Sequence, residues 1–206
     1  MKLVLISDTH EQQGNLIVPD GDVLVHAGDL TFRGKFDPIA QTGRWLRSLP
    51  HKTKILCAGN HDFLFEESKF EALEALGPDI IYLENEAVTI DGVKFWGSPV
   101  TPWFFDWAFN VARGQDIKRY WDKIPNDTDV LITHGPPKGI LDLAGSDPVG
   151  CEDLRESVRR VRPKIHVFGH IHSGYGSVHR DGTTFYNASV VDEAYKIANN
   201  PWEVEL

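Results

Sequence analysis

Cysteine is scarce in this chain, which has only two among 206 residues, Cys57 and Cys151. Cys57 lies in the apolar run KILCAGN, and Cys151 stands where a helix is predicted to begin. Two such residues neither build a disulfide scaffold nor form the thiolate cluster of a structural zinc site. The sequence therefore argues against the class of small domains held together by disulfides or structural zinc.

Positive charge is also in short supply. Twenty-one lysines and arginines face thirty aspartates and glutamates, which gives a net charge of −9. No basic run stands out that could follow a phosphate backbone, so a large nucleic acid is a poor candidate partner. Bound divalent cations would reverse the sign of the field locally, so this argument does not extend to small phosphate compounds.

Long apolar runs are missing as well. No stretch approaches the roughly 18 apolar residues of a membrane span, and the apolar part of MKLVLISDTH is too short for a signal sequence. Hydrophobic residues make up 41% and charged residues 25%, which is typical of a soluble globular protein. No repeat or linker divides the chain, so we expect one domain over residues 1–206, located in the cytoplasm, with no membrane partner.

Five short apolar runs each end in a polar cluster, and such runs are typical of strands covered on both faces. Helical patterns occupy residues 38–49, 66–76 and 152–161, and Asp-Gly pairs at 91–92 and 181–182 predict two hairpins. The alternation of strands and helices indicates an α/β layered fold, and the hairpins indicate a mixed sheet. The runs with their polar ends are KLVLIS-DTH, DVLVHA-GD, TKILCA-GNHD, DVLIT-HGPP and KIHVF-GHIH.

The polar clusters supply the chemistry, because ligands of open α/β sheets bind at the carboxyl ends of strands. Their side chains are oxygen and imidazole donors without a thiolate, which suits Mn²⁺, Fe or Zn²⁺ in a hydrolytic site. The number of donors exceeds the needs of one catalytic metal and fits two. The residues are Asp8, His10, Asp29, Asn60, His61, His134, His170 and His172.

Two cations at such a site lower the pKa of a shared water and stabilise charge on phosphoryl oxygens. A nearby histidine that does not bind metal could then protonate the leaving oxygen. Each cluster alone also has a simpler explanation, since Asp-x-His after a strand is commonly a turn or cap, and Gly-Asp is common in loops. The occurrence of all five clusters, each after its own apolar run, favours metal-assisted hydrolysis of a phosphate ester.

The remaining histidines fit structural roles. His51 and His179 lie in a polar loop and a hairpin, so we expect both to be solvated. His26 and His166 lie inside predicted strands, where core packing is expected. His26 could alternatively orient a metal ligand.

The same five clusters resemble those of the calcineurin-like metallophosphoesterase superfamily, and the match covers nearly the whole chain. The segments GSPVTPWFFDWAFN, ITHGPPKGILD, GCEDL and RPKIHVFGHIHSGYG are similar to its metallophosphoesterase-domain-containing branch. This resemblance implies two mixed β-sheets in a sandwich flanked by helices, with a dinuclear metal centre between strand ends.

The resemblance also implies individual roles. The first metal would be bound by Asp8, His10, Asp29 and His172. The second would be bound by the shared Asp29 with Asn60, His134 and His170. The ions would be two divalent cations, Mn²⁺ in the first place and Fe, Zn²⁺ or Co²⁺ as alternatives. Some animal members of the branch have glycine where His170 stands, and because this chain keeps the histidine we expect both metals.

The resemblance makes His61 the proton donor and Asp62 the residue that orients its ring. Arg33 stands where Ser/Thr protein phosphatases place a phosphate-binding arginine, although the surrounding LTFRG departs from their pattern, and an exposed loop arginine is an equal alternative. The aromatic segment 96–109 is expected to pack in the core or an oligomer contact, with Trp103 lining the pocket mouth, where it could stack a base.

The expected activity is hydrolysis of small phosphodiesters resembling cyclic nucleotides, which rests on the resemblance. A phosphomonoesterase or a nuclease with the same centre is the alternative within enzymes. A non-catalytic protein-binding scaffold on the same fold is the third reading. That reading predicts lost ligands, whereas this chain retains all of them.

Overall fold

The computed structural model describes residues 1–206. It contains two main sheets, two small two-stranded sheets and five α-helices. The helices are α1 Phe36–Ser48, α2 Phe63–Glu67, α3 Lys69–Leu76, α4 Gln115–Trp121 and α5 Glu152–Val161. The strands are β1 Lys2–Ile6, β2 Val23–His26, β3 Thr53–Leu56, β4 Ile81–Tyr82, β5 Glu86–Ile90, β6 Val93–Ser98, β7 Thr101–Pro102, β8 Asn110–Val111, β9 Val130–Thr133, β10 Leu143–Ala144, β11 Asp147–Pro148, β12 Ile165–Phe168, β13 Gly176–Arg180, β14 Thr183–Asn187 and β15 Trp202–Glu205.

Both main sheets are mixed, as predicted. The first has the order β15-β1-β2-β3-β4, in which only the edge strand β15 is antiparallel to its neighbour. The second has the order β13-β14-β12-β9-β6-β5, with a parallel centre and an antiparallel hairpin strand at each edge. The parallel centres explain why their strands read as continuous apolar runs, since both faces are covered.

The fold has four layers, in the order helices, sheet, sheet and helices, and an apolar cluster lies between each pair of neighbouring layers. Alternate residues of the central strands, such as Leu3 and Leu5 in one sheet and Ile132 and Val167 in the other, pack between the two sheets. The opposite face of the first sheet packs against α1 and α3, and that of the second sheet against α4 and α5. The structure is therefore a β-sandwich flanked by helices, which confirms the predicted fold class.

The predicted local elements are mostly confirmed. The helix over 152–161 begins and ends as expected, and Cys151 caps it by accepting the Leu154 N–H through Sγ. Both Asp-Gly hairpins form with positive φ at the two turn residues. The helix predicted over 66–76 is instead two helices, α2 and α3, because Ser68 has non-helical backbone angles between them.

The prediction that His51 is solvated is wrong, because only 2% of it is exposed. His179 is exposed and His166 is fully buried, as expected. None of the helices is long and apolar enough to cross a membrane.

Candidate metal centre

The chain turns sharply after the strands that carry the predicted ligands. Asp8, His10, Asp29 and His170 all have left-handed backbone conformations, with φ of 55°, 38°, 56° and 68°. Such angles are uncommon for residues other than glycine and are concentrated at functional sites, where the surrounding structure enforces them. Here they aim the side chains across the strand ends, into the gap between the two sheets.

Two glycines allow the loops to approach the carboxylates closely. A Cβ atom on Gly59 would lie 2.2 Å from Asp29 Oδ1, and one on Gly169 would lie 2.0 Å from Asp8 Oδ2. No side chain fits at either position without moving a carboxylate. The glycines in the GNHD and GHIH motifs are therefore required by the packing around the centre.

Asp29 lies at the middle of the centre. Its Oδ2 atom is 3.2 Å from His134 Nε2, 3.6 Å from His10 Nε2 and 4.0 Å from His61 Nε2. The other oxygen, Oδ1, accepts the backbone N–H of His61 at 2.9 Å. A carboxylate with imidazoles on several sides is the arrangement expected of a ligand shared by two cations.

The donors form two main groups whose ligand atoms lie within 4.8 Å of one another. One consists of Asp8, His10 and His172, and the other of Asp29, His134 and His170, while a third group, His10, Asp29 and His61, overlaps both. Asn60 adjoins the second group, with Oδ1 2.9 Å from His134 Nε2. His10 Nε2 is buried and has no hydrogen-bond partner, which fits an atom oriented to bind a cation. The donors thus fit two divalent ions.

Four histidines are held by the same contact. In each, Nδ1 donates to a backbone carbonyl at 2.9–3.2 Å, which fixes the tautomer and directs Nε2 into the centre. The pairs are His10 with Thr31, His61 with Phe32, His134 with Ala27 and His172 with Asp192.

The charges of the buried groups depend on one another. Burial alone raises the pKa of Asp29, but His134 and His10 outweigh it and hold that pKa well below its usual value. Burial lowers the pKa of His134, yet the adjacent Asp29 and Asp8 raise it to about 9. Burial lowers the pKa of His10 to about 4 and that of His170 to about 3, which leaves both neutral and able to bind metal.

Asp62 has different partners from those expected. Its carboxylate accepts the backbone N–H groups of Leu30, Thr31 and Gly59 and the hydroxyl of Thr31. The His61 ring instead donates to Phe32 O. The expectation that Asp62 orients the ring directly is therefore wrong, because its oxygens are used to join the loop after Asp29 to the loop before Asn60.

A cavity of about 690 Å³ opens onto the centre. Its floor includes Asp29, Asn60, His61, His170 and His172, so the structure brings predicted ligands from both sheets to one surface. The aromatic residues of its wall are Trp103, Phe104, Phe105, Trp107 and Tyr195.

The aromatic segment divides between core and cavity. Trp96 is buried, while Trp103 is 60% exposed at the cavity. Arg33 does not line the cavity, and its guanidinium carbon lies 5.5 Å from the centre of the Trp107 ring. The structure therefore places Trp103 where the sequence predicted it, and gives Arg33 an aromatic neighbour rather than a place in the wall.

Sequence reasoning missed Tyr195, whose ring centre lies 4.8 Å from that of His10 and 5.1 Å from that of His172. It occupies a turn closed by Asp192, whose carbonyl accepts both the Tyr195 N–H and His172 Nδ1–H. No sequence motif predicts this turn, which becomes visible only when the residues on either side of it pair in the structure.

His26 lies beneath the ligand loops, where it contacts Thr9 Oγ1 and accepts the Gly28 N–H.

Comparisons with known proteins identify relatives of this chain. The human metallophosphoesterase domain-containing protein 1 is 41% identical over all of this chain, which spans 71% of that protein. A UPF0046 protein of Caenorhabditis elegans is 40% identical over 98% of this chain and 73% of its own length.

Among solved structures, the phosphopantetheinyl hydrolase of Mycobacterium tuberculosis shares the fold, with a TM-score of 0.63 at 16% identity over 94% of this chain and 90% of that one. The profile of the calcineurin-like phosphoesterase family matches residues 1–174, which carry every predicted ligand. The chain therefore belongs to the calcineurin-like phosphoesterase family.

Proposed function

We propose that residues 1–206 act as one domain that hydrolyses small phosphodiesters resembling cyclic nucleotides. The observation that carries this proposal is the position of members of both candidate metal-ligand groups on the floor of a 690 Å³ cavity with an aromatic wall. That volume is typical of sites for small ligands. Trp103 and Phe105, both largely exposed, offer flat surfaces on which a base could stack.

The charge of the wall favours a diester over a monoester. A diester carries one negative charge and a monoester up to two. Among the lining residues only Arg113 is a permanent cation, and its guanidinium already binds Glu152 and the carbonyl oxygens of Val149 and Gly150. The same scarcity argues against a long nucleic acid, which needs a row of cations.

Two divalent cations, when bound, would supply Lewis acidity and lower the pKa of the attacking water. The nitrogen and oxygen donors suit Mn²⁺, with Fe, Zn²⁺ or Co²⁺ as alternatives. Asp8, His10, Asp29 and His172 would bind one ion, and Asp29, Asn60, His134 and His170 the other. His61 would donate a proton from Nε2 to the leaving oxygen, since Nδ1 is occupied by Phe32 O.

Turnover of two chromogenic esters tests the proposal. We expect bis-p-nitrophenyl phosphate to be hydrolysed in preference to p-nitrophenyl phosphate with Mn²⁺, and neither to be hydrolysed after chelation. A strong preference for the monoester would favour a phosphomonoesterase, and no metal-dependent turnover of either would refute the enzyme. A panel of cyclic nucleotides then identifies the substrate.

His61→Ala tests the assigned role of His61. The variant should retain its metal, because His61 belongs to neither predicted ligand set, and should lose most of its turnover. Loss of metal as well would make His61 a ligand.

Cys57 and Cys151 are both free and buried, which supports our further proposal that the protein acts in the reducing cytoplasm.

A further inference from the structure

The orientation of the His61 ring is not fixed by its hydrogen bond alone. Nδ1 donates to Phe32 O at 3.0 Å, and Nε2 faces Asp29 Oδ2 at 4.0 Å. One hydrogen bond fixes the direction of Nδ1 but leaves the ring free to tilt about that direction. Because Asp62 is bonded elsewhere, another neighbour must restrict this tilt.

Trp107 is the aromatic ring nearest to His61. The two ring centres lie 4.3 Å apart with an angle of 35° between the planes, so the rings are in close, tilted contact. The His10 ring also contacts the His61 ring, in an edge-on arrangement with 4.8 Å between the ring centres. The imidazole therefore contacts both an indole and a second imidazole, and tilting it would disturb these contacts.

Trp107 is itself fixed to the backbone around the metal centre. The next residue, Ala108, donates its N–H to Asn60 O at 3.2 Å, and Phe109 donates to Glu66 Oε1 at 2.8 Å. Since Asn60 directly precedes His61, the indole and the imidazole are held to the same short piece of chain. Phe63 and the Arg33 guanidinium also contact the indole.

We propose that Trp107 is a positioning residue for proton transfer from His61, an inference that rests on the proposed function. As the bond from phosphorus to the leaving oxygen breaks, its electron pair passes to that oxygen, which takes the proton from His61 Nε2. The new bond to phosphorus comes from the oxygen of water, which releases one proton to solvent. The histidine is left neutral, with its Nδ1 proton still donated to Phe32 O, and is reprotonated by solvent.

Leaving-group dependence separates this role from a structural one. Methyl p-nitrophenyl phosphate releases a weakly basic phenolate that needs no proton, whereas methyl phenyl phosphate releases a phenolate whose conjugate acid has a pKa of about 10. Loss of proton transfer therefore slows the second ester selectively. Loss of metal binding or of folding slows both.

We expect Trp107→Ala to lower kcat for methyl phenyl phosphate about tenfold more than for methyl p-nitrophenyl phosphate, with the metal content unchanged. Trp107→Phe keeps a flat ring and should restore most of the difference. In a His61→Ala background, Trp107→Ala should cause no further selective loss. Trp103→Ala is the matched control, since Trp103 lines the same cavity without a ring contact to His61, and it should affect both esters equally.

Equal losses on both esters, or a selective loss that persists without His61, would overturn the inference and make Trp107 a substrate-binding or structural residue. If Trp107→Ala does not fold, Trp107→Phe and Trp107→Leu decide, because only the flat ring should keep the wild-type ratio of the two rates. If the wild type hydrolyses neither ester with Mn²⁺, the proposed function has failed, which is a separate result.

Discussion

Both carboxylate oxygens of Asp8 accept the backbone N–H of His170, each at 3.1 Å, across 162 positions of sequence. Asp8 follows β1 in the first sheet, and His170 follows β12 in the second. A ligand of one predicted metal is thus held in place by the backbone of a ligand of the other. The geometry of the centre therefore depends on how closely the two sheets approach each other at this point.

Gly169→Ala tests that dependence. The added methyl group would lie 2.0 Å from Asp8 Oδ2 and 2.2 Å from Ser7 Oγ, so the sheets or the carboxylate must move. We expect a loss of about 3 kcal/mol in the free energy of unfolding, together with weaker metal binding. Chemical denaturation and metal analysis after dialysis measure the two effects.

Gly14→Ala is the control for that substitution. A Cβ atom on Gly14 would meet nothing within 4 Å, so its effect should stay within about 0.5 kcal/mol. Unchanged stability and metal content in Gly169→Ala would show that the loop moves freely and that the approach of the sheets is not required.

His170→Ala should remove one of the two predicted ions. The side chain belongs with Asp29 and His134, whereas Asp8, His10 and His172 form a separate group. We expect the metal content to fall from about two ions per chain to about one, measured by mass spectrometry after dialysis. His179→Ala, at an exposed histidine, should leave two. A variant that kept both ions, or lost both, would contradict the division into two sites.

Much of the fold and the donor set could be predicted from the sequence, for a physical reason. Strands covered on both faces read as apolar runs, and the first polar residues after Ile6, His26 and Phe168 had to lie at a sheet edge. The side chains of Asp8, Asp29 and His170 were therefore predictable from local sequence, and the two Asp-Gly turns fixed the hairpins.

Contacts between distant segments could not be predicted in this way. Asp62 stands beside His61 in the sequence, yet its oxygens bond to Leu30 and Thr31, 32 and 31 positions away. Tyr195 reaches His10 only because β15 and the preceding turn return to the first sheet. Such contacts depend on the packing of whole layers, and no short sequence motif predicts them.

His166 should make the protein sensitive to acid. It is fully buried, its Nε2 contacts Thr133 Oγ1 at 2.9 Å and its Nδ1 has no partner. Burial lowers its pKa from 6.5 to about 3. Between these values the unfolded chain takes up a proton that the folded chain does not, so stability is complete above pH 6.5 and falls as the pH drops.

We expect His166 alone to cost about 2 kcal/mol of the free energy of unfolding between pH 7 and pH 5. Denaturant unfolding of the chelated protein at both pH values, compared with His166→Gln, measures this contribution. The variant should lose about that much less on acidification. Equal losses in the two proteins would mean that the folded chain binds the proton at His166 after all.

Asp62→Asn should act through metal binding rather than through the proton transfer. In asparagine an NH₂ group, which only donates, replaces one of the two accepting oxygens. Depending on the side-chain orientation, this group would face either the N–H groups of Leu30 and Gly59 or the N–H and hydroxyl of Thr31, so donors would face donors. We expect a loss of about 2–4 kcal/mol in stability. The loops so released carry Asp29 and Asn60, so the affinity for Mn²⁺ should fall as well.

Asp142→Asn is the matched control, because Asp142 is also buried and its Oδ2 accepts the N–H groups of Gly139 and Gly150, neither of which adjoins a predicted ligand in the sequence. It should lose stability without losing metal affinity. At saturating Mn²⁺, Asp62→Asn should keep a much larger share of kcat than His61→Ala, since the His61 ring is held by Phe32 O and Trp107. A selective loss of kcat with normal stability and metal affinity would instead return Asp62 to a direct part in the reaction.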